Sequence, residues 1–267
     1  LGYERTKLSV MESLEALKPA KEHILVKLQV HVLLQWPRCF PELPWADCVE
    51  EERQLAEHTR QAGPDPAHQP EQAWKDSWKA LEDLYLKDQD NPLLASIGVS
   101  NFGLHELEQV EALAKVHPHI LQNNLPNILY DPGLLNYCHQ NRVHVQAYDV
   151  IHAASPAQVV AAPRAYDQLK KVAHDLEQAA REDDPDLLLH IASHQVILAW
   201  LIQHGVGIVP QTSNIHHLDD NSAVTLLKIP ALSDHQIDLV AHAIDKFLDQ
   251  DARSEERRVG KECRSRW

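Results

Sequence analysis

The sequence predicts an α/β protein built on a parallel sheet, and two observations predict it. Short apolar runs alternate with helical periods along most of the chain, the signature of strands joined by helical crossovers. Within that alternation, the run Leu93–Val99 stops at Ser100 and Asn101, and a helical period (Leu104, Leu107, Val110, Leu113) follows at once. Such a corner sets a hydroxyl and a carboxamide at the C-terminal end of a strand, where loops on a rigid scaffold carry ligand contacts.

The elements follow in order. Periodicity predicts a first helix over Thr6–Leu17 and a strand over Ile24–Leu34. Residues 40–73, rich in Pro, Glu and His and carrying Gly63-Pro64-Asp65-Pro66, read as a surface insertion. A helix over Trp74–Leu86 leads to the strand Leu93–Ser100, a helix over Leu104–Val116, a strand over His119–Gln122, a helix over Pro132–Asn141 and a strand over Val143–Tyr148. Residues 152–186 read as a second surface insertion, with a polar helical stretch over Arg164–Glu182 closed by Asp183-Asp184-Pro185. A helix over Leu187–Gln203, a strand over Val206–Pro210, and helices over His216–Leu227 and Asp234–Leu248 complete the pattern. Ser233 with Gln236 has the form of a capping box for the last helix.

The ends read differently. The chain opens on Leu1 and its one methionine is Met11, as in a piece of a longer protein. Residues 253–267 have no apolar period, are net basic in an otherwise acidic chain, and resemble a translated vector sequence. A domain over 1–252 followed by a non-native, disordered tail is expected.

Composition excludes several classes. A net charge of −14 argues against a nucleic-acid surface, because phosphate binding needs clustered Lys and Arg. No apolar run reaches the roughly 18–20 residues of a membrane helix, so no membrane partner is expected. Cys39, Cys48, Cys138 and Cys263 have neither CxxC nor zinc-ligand spacing, and a reduced, cytoplasmic compartment is the expectation. His190 and His194 stand at i, i+4, but the glutamate of HExxH is missing and no third ligand is marked, so no metal is expected. There is no GxGxxG and no GxxxxGK[ST] among the eight glycines. A nucleotide would therefore have to be bound without the glycine turn that brings a helix N-terminus onto phosphate.

A set of short stretches then points to one family. Val32-Leu33-Leu34-Gln35-Trp36-Pro37, Trp78-Lys79-Ala80-Leu81-Glu82-Asp83-Leu84, Ile97-Gly98-Val99-Ser100-Asn101-Phe102 and Leu135-Asn136-Tyr137-Cys138 occur in that order. Val145-Gln146-Ala147-Tyr148, Ser193-His194-Gln195-Val196-Ile197-Leu198-Ala199-Trp200, Gly207-Ile208-Val209-Pro210-Gln211-Thr212 and Asp220-Asn221 follow. Together they resemble the aldo-keto reductases, whose corresponding motifs are LLHWP, WxALExL, IGVSNF, LxxYC, VxAYSPL, SPAQVLLRW, VIPKS and EN. The matches keep the family's order over roughly residues 6–250.

The resemblance implies a (β/α)8 barrel of the TIM type with its site at the C-terminal face. It implies NADPH-dependent reduction of an aldehyde or ketone, with a tyrosine as general acid beside a lysine, an aspartate and a histidine. The first recognisable elements correspond to the third helix and fourth strand. An incomplete barrel is therefore expected, holding the fourth to eighth strands and lacking the first three, which in the family carry Asp, Tyr and Lys. Gln35 stands at the histidine position; glutamine donates a hydrogen bond but does not titrate near neutral pH. His31 lies about 13 Å deeper along the same strand. No catalytic residue is assigned, and reductase turnover is expected to be impaired, since a proton donor typically contributes about 10²–10⁴-fold.

By the same resemblance Gln35 and Trp36 are substrate contacts, and Ser100, Asn101 and Gln122 hold the nicotinamide carboxamide. Tyr148 stacks on the nicotinamide ring, Gln211 and Thr212 lie along the phosphates, and Asp220 and Asn221 meet adenine. Bland readings stand beside these: Ser100 and Asn101 suit a helix cap, Gln35 and Trp36 suit packing at the rim, and Tyr148 suits a core aromatic. Gln211 and His217 replace the family's lysine and arginine at the 2′-phosphate, and Asp149 adds a negative charge nearby. NADP binding is expected to be weak or lost, with NAD as the alternative, because charge-assisted bonds to phosphate are roughly twice as strong as neutral ones. Two functions are weighed: a piece of a working carbonyl reductase, and a non-catalytic relative acting as a regulatory or binding subunit. Five parallel strands leave two open edges, which predicts self-association unless the insertions cover them.

Overall fold

The computed structural model describes residues 2–17, 30–35, 50, 53–64, 69–87, 94–129, 131–151, 156–186 and 189–264. Ile24–Gln29 of the first predicted strand, Trp36, Cys39, Cys48 and much of 40–73 lie outside the described residues.

The elements are α1 (Tyr3–Leu17), β1 (Val30–Leu34), α2 (Glu57–Gln61), α3 (Pro70–Lys87), β2 (Leu94–Ser100), α4 (Leu104–Leu113), β3 (Ile120–Asn124), α5 (Leu125–Leu129) and α6 (Pro132–Gln140). They continue with β4 (His144–Tyr148), α7 (Pro156–Ala161), α8 (Pro163–Asp183), α9 (Ser193–Gln203), β5 (Gly207–Val209), α10 (Ile215–Asp220), α11 (Ala223–Leu226) and α12 (Asp234–Arg264). The strands form one five-stranded sheet in chain order, β1-β2-β3-β4-β5, and the pairs β1/β2, β2/β3 and β4/β5 are parallel. The α/β class with a parallel sheet is what the alternation of periods predicted.

The chain divides into two compact units, residues 1–123 with 127–145, and residues 124–126 with 146–267. In the first, β2 is buried along nearly its whole length, which is why it reads as an unbroken apolar run rather than an alternating one. Its core joins Val10 of α1, Trp74, Trp78 and Leu81 of α3, Leu94, Ile97 and Val99 of β2, and Leu107 and Val110 of α4. Phe102, just past β2, meets Trp74 edge-on with ring centroids 5.7 Å apart. Gly98 sits where backbones crowd: a Cβ there would lie 2.3 Å from the Ile120 carbonyl oxygen and 2.8 Å from Leu33 Cδ2. In the second unit, α8 buries Ala165, Leu169, Val172, Ala173, Leu176 and Ala180 along one stripe, a 3.6-residue period on a helix otherwise charged.

Boundaries differ from the periodic reading for identifiable reasons. α4 stops at Leu113 rather than Val116, because Ala114 turns extended and the buried carboxylate of Glu82 accepts from Lys115 N at 2.5 Å and Val116 N at 2.9 Å. α9 starts at Ser193 rather than Leu187. Glu177 of α8 accepts from Ile191 N at 2.7 Å and Gln195 accepts from Ala192 N at 2.8 Å, holding that stretch out of the helix. The single helix expected over 216–227 is two. Asn214 opens α10 by accepting from His216 N at 3.0 Å, Asn221 closes it, and Ser222 opens α11 by accepting from Thr225 N at 3.3 Å. The capping box at Ser233 and Gln236 is formed, with Ser233 N donating to Gln236 Oε1 at 2.9 Å and Gln236 N to Ser233 Oγ at 3.4 Å. The last helix runs on from Leu248 to Arg264.

Candidate functional site

In the first unit, four of the residues singled out from the sequence converge at the C-terminal ends of β1, β2 and β3. Ser100 ends β2 and is buried, Gln122 lies half-buried in β3, and the register pairs them directly. Asn101 follows with φ of 62°, the left-handed region that Asn tolerates better than most residues. That turn lets its N–H donate to the Gln122 carbonyl at 3.1 Å. Its side-chain amide donates to the Gln35 carbonyl at 3.0 Å and to Ser100 Oγ at 3.3 Å. Gln35 is exposed just beyond β1. Next in β3, Asn123 is buried and donates from Nδ2 to the Phe102 carbonyl at 2.9 Å, bracing the loop from below.

The cap reading of Ser100 and Asn101 does not hold. The N-cap of α4 is Gly103, whose N–H donates to Glu106 Oε2 at 3.1 Å, so the two polar residues serve the strand ends instead. His31, which shares a strand with Gln35, turns to Ser96, with Nδ1 and Oγ 2.6 Å apart.

In the second unit, Tyr148 closes β4 half-buried and pairs with Val209 of β5. Burial first, and the adjacent Asp149 second, push its phenol above the usual range, so it stays neutral at physiological pH. Asp149 itself has φ of 55°, a second left-handed residue at a strand end. Gln211 is exposed after β5, and Thr212 Oγ1 accepts from Asn214 N at 3.1 Å. Asp220 and Asn221 end α10, where the Asp220 carbonyl accepts from Gln195 Nε2 at 2.8 Å. His217 lies beside His194, with ring centroids 6.2 Å apart. Burial is the main cause that lowers the His194 pKa below the ordinary 6.5; Asp220 opposes it and His217 adds to it.

Two of the histidine and cysteine readings change or sharpen. His190 precedes α9 rather than sharing it with His194, and its Nδ1 lies 2.9 Å from Glu177 Oε1. Among the described residues no group of three His, Cys, Asp or Glu side chains could hold a metal ion. Cys138 is a free, fully buried thiol whose pKa burial pushes up to about 12, far from a reactive thiolate. Sequence reading passed over Gln195 and Glu82, although both sit inside stretches that it matched. Their partners lie 25 and 33 or more residues away, and no local signal marks such a pair. No helix among the described residues is long and apolar enough to cross a membrane.

The family model described as the aldo/keto reductase family matches residues 61–245. An uncharacterized oxidoreductase of Bacillus subtilis is 28% identical over 151 residues, 57% of this chain and 45% of that protein. The NADPH-dependent alpha-keto amide reductase of Saccharomyces cerevisiae is 28% identical over 179 residues, 66% of this chain and 48% of that protein. The chain spans about half the length of the curated relatives that it matches. Among solved structures, an aldo-keto reductase from a Medee basin deep-sea metagenome library is similar in fold, with a TM-score of 0.58 at 18% identity over 91% of this chain and 66% of that one.

Proposed function

Since this chain belongs to the aldo/keto reductase family, we propose that it keeps a nicotinamide-dinucleotide groove and, as the polypeptide of residues 1–267, is impaired in carbonyl reduction. The observation that carries this reading is Gln35, at the position of the family's histidine, with its carbonyl tied to Asn101 at 3.0 Å. A reduced nicotinamide, when bound, supplies a hydride, and the developing alkoxide then needs a proton. Glutamine can steady a carbonyl oxygen by donating a hydrogen bond, yet it releases no proton near neutral pH.

The residues present fit such a cofactor in part. In the first unit Ser100, Asn101 and Gln122 offer hydroxyl and carboxamide groups, and in the second unit Tyr148 offers a neutral aromatic ring. At the end of α10, both atoms of the Asn221 carboxamide are without a hydrogen-bond partner. Asp220 and Asn221 would meet the adenine; Gln211 and Thr212 would follow the phosphates. No lysine or arginine stands at Gln211 or His217, so the 2′-phosphate gains little and NAD is held about as well as NADP. Gln35 and Trp36 would face a small carbonyl substrate. We read the sheet as the fourth to eighth strands of a partial barrel, with self-association through its open edges and a cytoplasmic location.

Titration of the purified chain with NADPH and NADH, followed by tryptophan emission, tests the groove. Weak, similar affinities without turnover of an added aldehyde are expected. Turnover at a rate ordinary for an enzyme, about 1–10³ s⁻¹, would overturn the impairment, and no response to either nucleotide at millimolar concentration would overturn the groove. The replacements at Gln35, Gln211 and His217 also favour a second reading, a non-catalytic regulatory or binding subunit. A gain of turnover in Gln35→His would favour the reductase over the subunit.

A further inference from the structure

Gln195 lies in the first turn of α9 and is 2% exposed. Both ends of its carboxamide are engaged, Oε1 accepting from Ala192 N at 2.8 Å and Nε2 donating to the Asp220 carbonyl at 2.8 Å. The second bond fastens the C-terminal end of α10 to the start of α9. Asn221 comes next and closes α10, its own N–H donating to the His217 carbonyl at 3.0 Å. The backbone of Asn221 is thus fixed from two sides.

Its side chain is not. Neither Oδ1 nor Nδ2 has a hydrogen-bond partner, and both are shut off from solvent. A covered, unpaired carboxamide is disfavoured, and native structures hold few of them. On a fixed backbone, the amide can satisfy both atoms at once by turning about its own side-chain bonds to a partner that presents one donor and one acceptor in a plane. The N6/N7 edge of adenine is such a partner, and Asn meets it with two bonds.

We propose that Gln195 is the positioning residue of an adenine subsite at Asp220 and Asn221, setting the backbone from which the Asn221 amide turns onto the base. This rests on the cofactor reading above and adds to it a residue that touches no ligand. Gln195 acts through the Asp220 carbonyl, and the free protein carries the subsite with its binding amide unspent.

Isothermal titration of the full chain with 5′-AMP, and with nicotinamide mononucleotide as the control probe, tests the proposal. Gln195→Glu keeps an acceptor for Ala192 N, so α9 can still begin where it does, and titrated above the pKa of the new carboxyl it has no donor for the Asp220 carbonyl. A loss of about three- to tenfold in AMP affinity is expected, on the scale of one hydrogen bond, with mononucleotide affinity unchanged. Asn221→Leu should lose AMP affinity at least as far while its thermal midpoint holds or rises. Equal losses for both probes in Gln195→Glu, or full AMP affinity in Gln195→Glu beside a loss in Asn221→Leu, would overturn the positioning role. No AMP binding by the unaltered chain, or unchanged binding by Asn221→Leu, would overturn the adenine reading and the proposal with it.

Discussion

The side-chain amide of Asn101 donates to the backbone carbonyl of Gln35 at 3.0 Å, joining the ends of two neighbouring strands through a residue in the left-handed region. The bond explains why a carboxamide stands there. An ionised Asp would lack the donor, and Gly would supply the backbone angle without the link. Asn101→Gly should lower stability by about 0.5–1.5 kcal/mol through the lost bond. Asn101→Val adds strain at φ 62° and should cost about 1–3 kcal/mol more. Urea unfolding of the three proteins checks the order.

Gly98 should be the least replaceable residue of β2. An alanine Cβ would meet the Ile120 carbonyl oxygen at 2.3 Å and Leu33 Cδ2 at 2.8 Å, so both flanking strands must yield. Gly98→Ala is expected to destabilise the chain by about 1–3 kcal/mol or more, whereas Ala95→Gly in the same strand should cost only about 0.5–1 kcal/mol. Paired thermal melts would expose the difference.

Glu82 ends α4 from a distance. It is 2% exposed and takes two N–H groups just past the helix. Glu82→Ala leaves those donors without a protein acceptor and should cost about 2–4 kcal/mol, while Glu82→Gln keeps an acceptor and should cost less than half of that. Hydrogen exchange at Lys115 and Val116 is the direct readout: it should accelerate strongly in the alanine variant.

Acid should loosen the second unit through His194. Burial lowers its pKa in the folded chain below the ordinary 6.5, so the unfolded chain binds the proton more readily. The sign follows from linkage: this contribution is full above about pH 6.5 and is lost as pH falls through the lower, folded value. Urea midpoints at pH 7.5 and 5.5 should therefore differ more for the native chain than for His194→Gln. Equal differences would show that His194 does not carry the effect.

These residues also mark how much could be read in advance. The corner at Ser100 and Asn101 was legible because an apolar run, two small polar residues and a helical period lie side by side. The ends of α4 and α9 were not, since carboxylates and amides from remote turns decide them: Glu82 for one, Glu177 and Gln195 for the other. The polar stretch over 164–182 was legible as a helix. Its buried stripe was harder to see, because alanines make up half of it and a charged residue stands in every gap. At the candidate site, residue types were readable from the family motifs. What Asn101 donates to, and that the Asn221 amide has no partner, depend on backbone angles and on groups far along the chain.

The packing of the tryptophans has a spectroscopic consequence. Trp74 and Trp78 are sunk in the first unit, and Trp200 lies in the second against His204, with ring centroids 4.3 Å apart. Each unit therefore carries its own fluorophore. With the other tryptophans of the six replaced by Phe, keeping Trp74 and Trp78 would report the first unit, and keeping Trp200 would report the second. A denaturation curve could then be resolved into the separate losses of two folded bodies, showing whether they come apart as one.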